Sequence, residues 1–401
     1  MRHRLPLLFI FMTLAIDAMG IGVVIPVMPA LIREIEGGTI ASAAVWGGIF
    51  STVYALMQFL CGPLLGALSD RYGRRPLLLI TLTIMSLDYV IVALAGSVWL
   101  LLGARVMGGI AASTRSVATA FIADISTPEQ KAARFGLVGA AFGLGFVAGP
   151  LLGGLLAEFG TRAPFWAAAA LALANMLLGL FILPETVTDE IRRPFHWKRA
   201  NPWSTLLDLG RTERVGRLTF LFFLYQTAFF VYPAIWAYFA VERFDWSPRT
   251  IGLSLGLFGI SLAIVQGWLI RYVLRWFGDR GTVLWGLLFN AVVFLLLGVL
   301  EDGTIALMLT PLAAIGGVVI PALQAMMSRA IPDNAQGGLQ GLLTSAGALA
   351  MIVSPLVMSQ VFWLATAENA PIYLPGLPFL LSMGLMGICV VVFLGRKRMR
   401  P

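Results

Sequence analysis

The chain has 401 residues, 59% of them hydrophobic and only 12% charged, with a net charge of +8 and a mean hydropathy of +0.88. Soluble domains carry roughly twice that charge fraction, so no water-facing surface could be covered and a soluble globule is excluded. Repeated apolar runs of about twenty residues match a hydrocarbon core of about 30 Å and define a polytopic membrane protein.

In chain order, "MRHRLPLLFIFMTLAIDAMG" has the basic flank and apolar run of a signal peptide, but the run continues to Leu31 without a small-residue cleavage pattern. It is read as the first span. Spans are predicted over 5–31, 42–68, 77–95, 98–121, 132–157 and 164–183, and again over 216–240, 250–270, 282–300, 304–327, 337–364 and 374–394. Cys61 and Cys389 both fall inside spans and give no redox reading and no metal site. With both termini placed inside, 22 of the 28 basic residues lie in inner segments, and the outer loops hold only Arg33, Arg162, Arg243 and Arg249. This is the positive-inside pattern. The excess positive charge is then a topology device, and nucleic acid is not expected as a partner.

Between "FILPET" (181–186) and Val215 the chain turns polar and basic. The expected organisation is a six-helix bundle over 1–183, a cytoplasmic linker over 184–214 and a second six-helix bundle over 215–401. "WSTLLDLG" (203–210) suits either a short interfacial helix or a simple connector. The halves echo each other. "DRYGRRPLL" after span 2 has a degraded counterpart in "RWFGDRGTVL" (275–284) after span 8, and Pro128 and Pro150 answer to Pro332 and Pro355. Weak repeats of six spans point to a transporter with its binding site between halves near the midplane. Periodicity alone also suits a large channel or a membrane enzyme.

"GPLLGALSDRYGRRPLLL" (62–79) packs Asp70, Arg71, Arg74 and Arg75 around Gly73. By charge alone it is a topogenic loop with a tight turn. It also resembles the loop between spans 2 and 3 of the major facilitator superfamily, and that resemblance covers nearly the whole chain. The resemblance implies a conformational latch of Gly66, Asp70, Arg71, Gly73 and Arg74, with Asp124 at the end of span 4 as partner. "GLVGAAFGLGFVAGPLLGG" (136–154) resembles the glycine-rich span 5 motif of proton-driven exporters. Its small residues, with Gly145, Gly149, Pro150 and Gly153 as the motif, allow close helix approach, and Pro150 weakens local helix bonding. "AIDAMGIGVVIPVMP" (15–29), "MSLDYV" (85–90), "GGVVIPALQAMMS" (316–328) and "QGGLQGLLTS" (336–345) resemble the tetracycline/proton antiporters, twelve-span members of that superfamily.

Ionisable groups within spans are costly and therefore functional candidates. The first half has Asp17, Asp88, Arg105 and Arg115. Asp17 and Asp88 lie roughly 16–18 Å from the inner boundary at about 1.5 Å per residue, near the midplane. The four could neutralise one another. The resemblance makes Asp17 the cavity-facing coupling acid, with Arg105 holding Asp17 or Asp88 ionised. Arg115, unusual for the group, suits an acid, a lipid headgroup or an anionic substrate.

The second half departs from the family. The histidine expected on span 8 and the acid expected on span 9 are replaced by Ser261 or Leu262 and by Asn290, and the only histidines are His3 and His196. Its polar groups within spans are neutral, and a neutral amide exchanges no proton at ordinary pH. Proton coupling is thus expected from the first half, with Asp17, Asp88 and Arg105 as its groups. Gln58, Arg115, Gln266, Asn290 and Gln324 are the substrate-binding candidates. Some aromatics, among them Tyr54, Phe230 and Trp236, could line an amphiphile cavity, though most aromatics in bundles pack or anchor.

The reading is an all-α membrane protein of two pseudo-symmetric six-helix bundles in the inner membrane of a bacterial-type cell. It exports small amphiphilic, drug-like compounds by alternating access, with tetracycline-type drugs as one possibility and protons exchanged. The expected partners are a small-molecule substrate, protons and the lipid bilayer, with a functional monomer, no cofactor and no metal. The alternative with the same fold is an exporter or facilitator of an anionic metabolite without obligatory proton coupling. A membrane enzyme or a receptor is the rival of a different class, but no metal cluster, nucleophile elbow or phosphate loop appears in the sequence.

Overall fold

The computed structural model describes residues 4–189, 192, 213–332 and 335–395. The segment 203–210, read as either a short interfacial helix or a connector, and both histidines lie outside these residues. Helices are α1 (Arg4–Glu36), α2 (Ile40–Tyr72), α3 (Arg74–Leu94), α4 (Val98–Ala111), α5 (Thr114–Asp124), α6 (Pro128–Leu156) and α7 (Ala163–Ile182). The second half has α8 (Glu213–Phe229), α9 (Val231–Phe244), α10 (Pro248–Ile264), α11 (Ile270–Val299), α12 (Gly303–Ala313), α13 (Val319–Ser328), α14 (Gln336–Thr366) and α15 (Leu377–Leu394).

Eleven helical segments among the described residues are long and apolar enough to cross a membrane. One of them, Pro248–Val299, runs for 52 residues. At 1.5 Å per residue that is about 80 Å, far beyond a single crossing of about 30 Å. It divides at Gly278, whose φ of 62° and ψ of 176° break the helix. The segment therefore supplies two crossings, and the twelve-span architecture expected from the sequence is found.

Four crossings are interrupted where the sequence predicts continuous spans. The 98–124 crossing breaks at Ala112 and Ser113, between α4 and α5. The 215–244 crossing breaks at Phe230, and the 303–328 crossing passes through a 3₁₀ turn at Ala314–Val318. A π turn at Val265–Leu269 interrupts the crossing that begins with α10. Glycine is present at three of the four: Gly108 and Gly109 before the first break, Gly316 and Gly317 within the 3₁₀ turn, and Gly267 within the π turn. Broken helices are tolerated in a membrane where the freed backbone groups face protein or a cavity.

Two compact units emerge. Among the described residues, the first holds 4–38, 53–189, 192 and 247–256, and the second holds 39–52, 213–246, 257–332 and 335–395. In the first unit, α1 packs along α6 and α3 along α7. Its apolar core gathers Phe9, Ile10 and Leu14 of α1, Leu78 and Leu82 of α3, and Phe121 and Ile122 of α5, all buried. In the second unit, an aromatic cluster of Phe229, Tyr232, Trp236, Phe258, Phe294 and Phe379 joins α8, α9, α10, α11 and α15.

Candidate functional site

The glycine motif on α6 is a packing seam. Gly145, Gly149 and Gly153 recur every fourth residue, one face of a helix. A Cβ on Gly145 would fall on the Ala15 carbonyl, one on Gly149 on the Met19 carbonyl and Gly22, and one on Gly153 on the Val23 carbonyl. The α1 backbone thus lies directly against α6, which fixes the register of Asp17. Pro150 follows in the same seam, with its ring against Gly22.

Around Asp17, three spans bring charge together. Asp17 is 7% exposed, Asp88 on α3 is 2% and Arg105 on α4 is 6%. Arg105 Nη2 donates to Asp88 Oδ2 at 3.1 Å, and the guanidinium lies 5.8 Å from the Tyr54 ring. Gly108 makes room for this pair, since a Cβ there would crowd the Asp88 carboxylate. Asp17 is left out of it: its Oδ2 is buried and has no hydrogen-bond partner. The phenols of Tyr54 and Tyr89 lie within electrostatic range of all three charges. So of the two acids, Asp88 is neutralised and Asp17 is not.

Arg115 stands apart. It is exposed, stacks over Phe142 at 4.6 Å and makes no ion pair among the described residues. Gln58 on α2 is half-buried and its Nε2 reaches the Ala112 carbonyl at 3.5 Å, at the break in the fourth crossing.

The latch residues centre on Arg74. Its guanidinium pairs with Asp70, reaches Asp124 at 3.1 Å and donates to Ser69, whose hydroxyl in turn bonds the Gly66 carbonyl. Arg71 lies over the Tyr72 ring at 5.2 Å and takes no part in those ion pairs. Gly73 has a φ of 110°, a conformation that strains any L side chain. A Cβ there would meet the Glu185 carboxylate. Glu185 is a residue the sequence reading missed. It accepts from the backbone N–H groups of Arg74, Arg75, Thr186 and Val187, so it caps the start of α3 where partial positive charge collects. Thr186 completes the cluster by donating to Asp124 at 3.0 Å. The "PET" after the sixth span was the available signal: a proline that ends the helix, followed by an acid able to cap and a hydroxyl able to donate.

In the second unit the degraded repeat keeps the geometry with the charges exchanged. Gly278 answers to Gly73, both with positive φ, and Asp279 stands where Arg74 stands. Asp279 pairs with Arg329, near the end of the tenth crossing as Asp124 is near the end of the fourth.

Polar groups of the second unit gather at the 3₁₀ turn. The Gly316 carbonyl accepts from Tyr225 Oη and Asn290 Nδ2, each at 3.1 Å, and Asn290 also donates to Gly286 at 2.8 Å. Gln266, exposed on the π turn, has its Nε2 3.8 Å from where a Gly317 Cβ would sit. Gln58 and Gln266 therefore occupy matching places, each beside the break of a corresponding crossing in its own unit. Gln324 is half-buried on α13, one helix beyond the turn. Buried polar atoms without partners also fall at or beside the breaks: Ser113 Oγ, Tyr232 Oη and Asn290 Oδ1. Among the described residues no group of histidine, cysteine and acidic side chains is placed to hold a metal.

Paired helix breaks at corresponding positions of two repeated bundles, with neutral polar groups beside them and an isolated buried carboxylate in one bundle, define a membrane transporter of the repeat type. Comparison with known proteins fixes its family. The sequence pattern of the Major Facilitator Superfamily matches residues 10–355, with a second match over 218–401. The class C tetracycline resistance protein of Escherichia coli is 41% identical over 388 residues, 95% of this chain and 97% of that one. The class E protein of Escherichia coli is 37% identical over 352 residues, 86% and 85% of the two chains. The crystal structure of the human organic anion transporter MFSD10 (TETRAN) matches with a TM-score of 0.69 at 26% identity, covering 98% of this chain and 99% of that one. The chain belongs to the Major Facilitator Superfamily.

Proposed function

We propose that this chain is a secondary active exporter of small amphiphilic compounds of the tetracycline type, driven by proton exchange through its first half. The observation that carries the coupling role is the difference between the two buried acids. Each acid keeps one buried oxygen without a hydrogen bond, but Asp88 is ion-paired with Arg105 whereas Asp17 has no ion pair among the described residues, in a place where ionisation is expensive. A carboxylate so placed holds a proton until substrate or the aqueous phase takes it. The second unit contributes neutral donors and acceptors at its helix breaks, with Gln266 and Gln324 as its binding groups and Gln58 as the counterpart in the first, while Asn290, a binding candidate by sequence, is fully buried and spends its amide on the Gly286 and Gly316 carbonyls. The Arg74 cluster biases one conformational state against the other. The proton gradient is the energy source, no cofactor is required, both termini lie in the cytoplasm and one chain suffices.

The test is tetracycline accumulation in bacterial cells making the wild type or Asp17→Asn, each with and without an uncoupler. Exclusion by the wild type that the uncoupler abolishes, and that Asp17→Asn lacks, is the expected result. Equal exclusion by Asp17→Asn, with both proteins at equal levels in the membrane, refutes the assignment of Asp17.

Arg115 favours a second reading, an anionic substrate, because it is a cation without a carboxylate and the structural relative is named an organic anion transporter. Flux of an organic anion that is independent of a pH gradient and lost in Arg115→Gln would select it.

A further inference from the structure

The first unit contains a cavity of about 60 Å³ that no step of the proposed cycle uses. It is walled by α1, α3, α6 and α7, so it lies wholly inside the unit. Asp17 lines it, as do Tyr89 and a slope of small and apolar residues that includes Leu156, Pro164, Ala168 and Ala172. Two of these fix its direction. Leu156 ends α6 and Pro164 opens α7, so the cavity extends from Asp17 towards the α6–α7 turn, the end opposite the Gly73 loop. Glycine shapes the wall as well: a Cβ on Gly20 would overlap the Tyr89 hydroxyl.

A volume of this size has room for on the order of two to four water molecules, provided polar groups receive them. Asp17 Oδ2 is such a group, 93% of the residue being buried and the oxygen having no protein partner. Tyr89 supplies a second polar atom in the same wall. Because the rest of the wall is apolar, any water entering the cavity would be held at Asp17 and Tyr89, as a short chain between them and the open end. Of the neighbouring charges, Arg105 Nη2 is taken by Asp88 Oδ2 and the guanidinium lies over the Tyr54 ring.

We propose that this cavity is a water-binding site that carries protons between Asp17 and the aqueous phase at the α6–α7 end, through the first bundle alone. A hydronium ion arriving along the chain gives its proton to Asp17 Oδ2 and leaves as water, and the reverse step releases it. The inference rests on the coupling role of Asp17 proposed above and adds the route.

The test is infrared spectroscopy of purified protein in lipid nanodiscs, with the Asp17 carboxylic acid band identified by its loss in Asp17→Asn. On transfer to heavy water the wild-type band shifts within the mixing time. Ala168→Leu, which fills the cavity, slows the shift roughly tenfold or more, because the bridging waters are lost. Ala168→Ser, which adds a polar atom, leaves it fast. Should Ala168→Leu not fold, Ala172→Leu fills the same wall from α7. Unchanged exchange in a folded cavity-filled variant overturns the route and leaves the coupling role of Asp17 standing. Absence of a protonated Asp17 band at every pH defeats the coupling role itself, and the route with it.

Discussion

Removing Arg74 should unbalance the α2–α3 end of the first unit far more than removing any one of its partners. Arg74 has a side chain 10% exposed and serves two carboxylates, Asp124 at 17% and Asp70 at 33% exposure. Arg74→Ala leaves both carboxylates behind, with Asp124 retaining only the Thr186 hydroxyl. Stranding a buried charge costs about 3–5 kcal/mol, and partial solvent access reduces this to about 2–3 kcal/mol here. Asp70→Asn removes the more exposed partner and should cost less than about 1 kcal/mol. The reversed pair of the second unit gives the internal control. Arg329 is 63% exposed and Asp279 29%, so Arg329→Ala should also cost less than about 1 kcal/mol. Arg74→Lys keeps the charge but not the fork that serves two carboxylates, and falls between. The readout is the temperature at which half of the detergent-purified protein leaves the monodisperse size-exclusion peak. Equal losses for Arg74→Ala and Arg329→Ala, or a wild-type result for Arg74→Ala, would refute the view that burial sets the strength of this cluster.

Three further outcomes follow from the geometry. Gly149→Ala places a methyl group against α1 backbone on two sides and should cost about 2 kcal/mol or more, while Gly143→Ala on the same helix meets nothing and should be neutral by the same thermal assay. Asp88→Asn leaves Arg105 buried without a carboxylate and should destabilise by about 3 kcal/mol, with Asp88→Asn/Arg105→Gln recovering most of the loss. Asp302 lies outside the spans and caps α12 by accepting from the backbone N–H groups of Thr304 and Ile305, which holds its carboxyl below the ordinary value. A depressed folded-state value means that the unfolded chain binds the proton more readily, so this contribution is present above pH of about 4 and disappears as pH falls through the folded value. Asp302→Asn keeps the cap and should flatten that segment of the thermal stability against pH profile.

The spans, their number and the small-residue seam were legible because each rests on a local signal: apolar length, loop charge and a four-residue glycine period. Asp17, Asp88 and Arg105 were legible as costly charges, but their pairing was not. Sequence leaves Arg105 free to meet either acid, and only the seating of α1 on α6 decides that Asp17 stays alone. Breaks in the 98–124, 215–244 and 303–328 crossings escaped the reading because an apolar run looks continuous whether or not its backbone is. Glu185 escaped for another reason. Its partners are backbone N–H groups of α3, about a hundred residues earlier in the chain, and such partners leave no residue pattern.

The repeat shows what a bundle can lose and still keep. Loop geometry at Gly278 survives although its charges are exchanged, and the break at Gly316 survives although no acid faces it. Asn290 stands where relatives are expected to carry an acid, and its amide is committed to two backbone carbonyls. An amide in that place holds the turn together at any pH, which a carboxylate could do only when protonated. On the proposed reading, recognition in the second unit is therefore insensitive to pH and works through shape and neutral hydrogen bonds. The pH dependence of transport then enters through Asp17 and the groups around it. A bundle relieved of titration is also free of the cost of burying charge, so it can present a wider apolar surface to an amphiphile without a compensating cation.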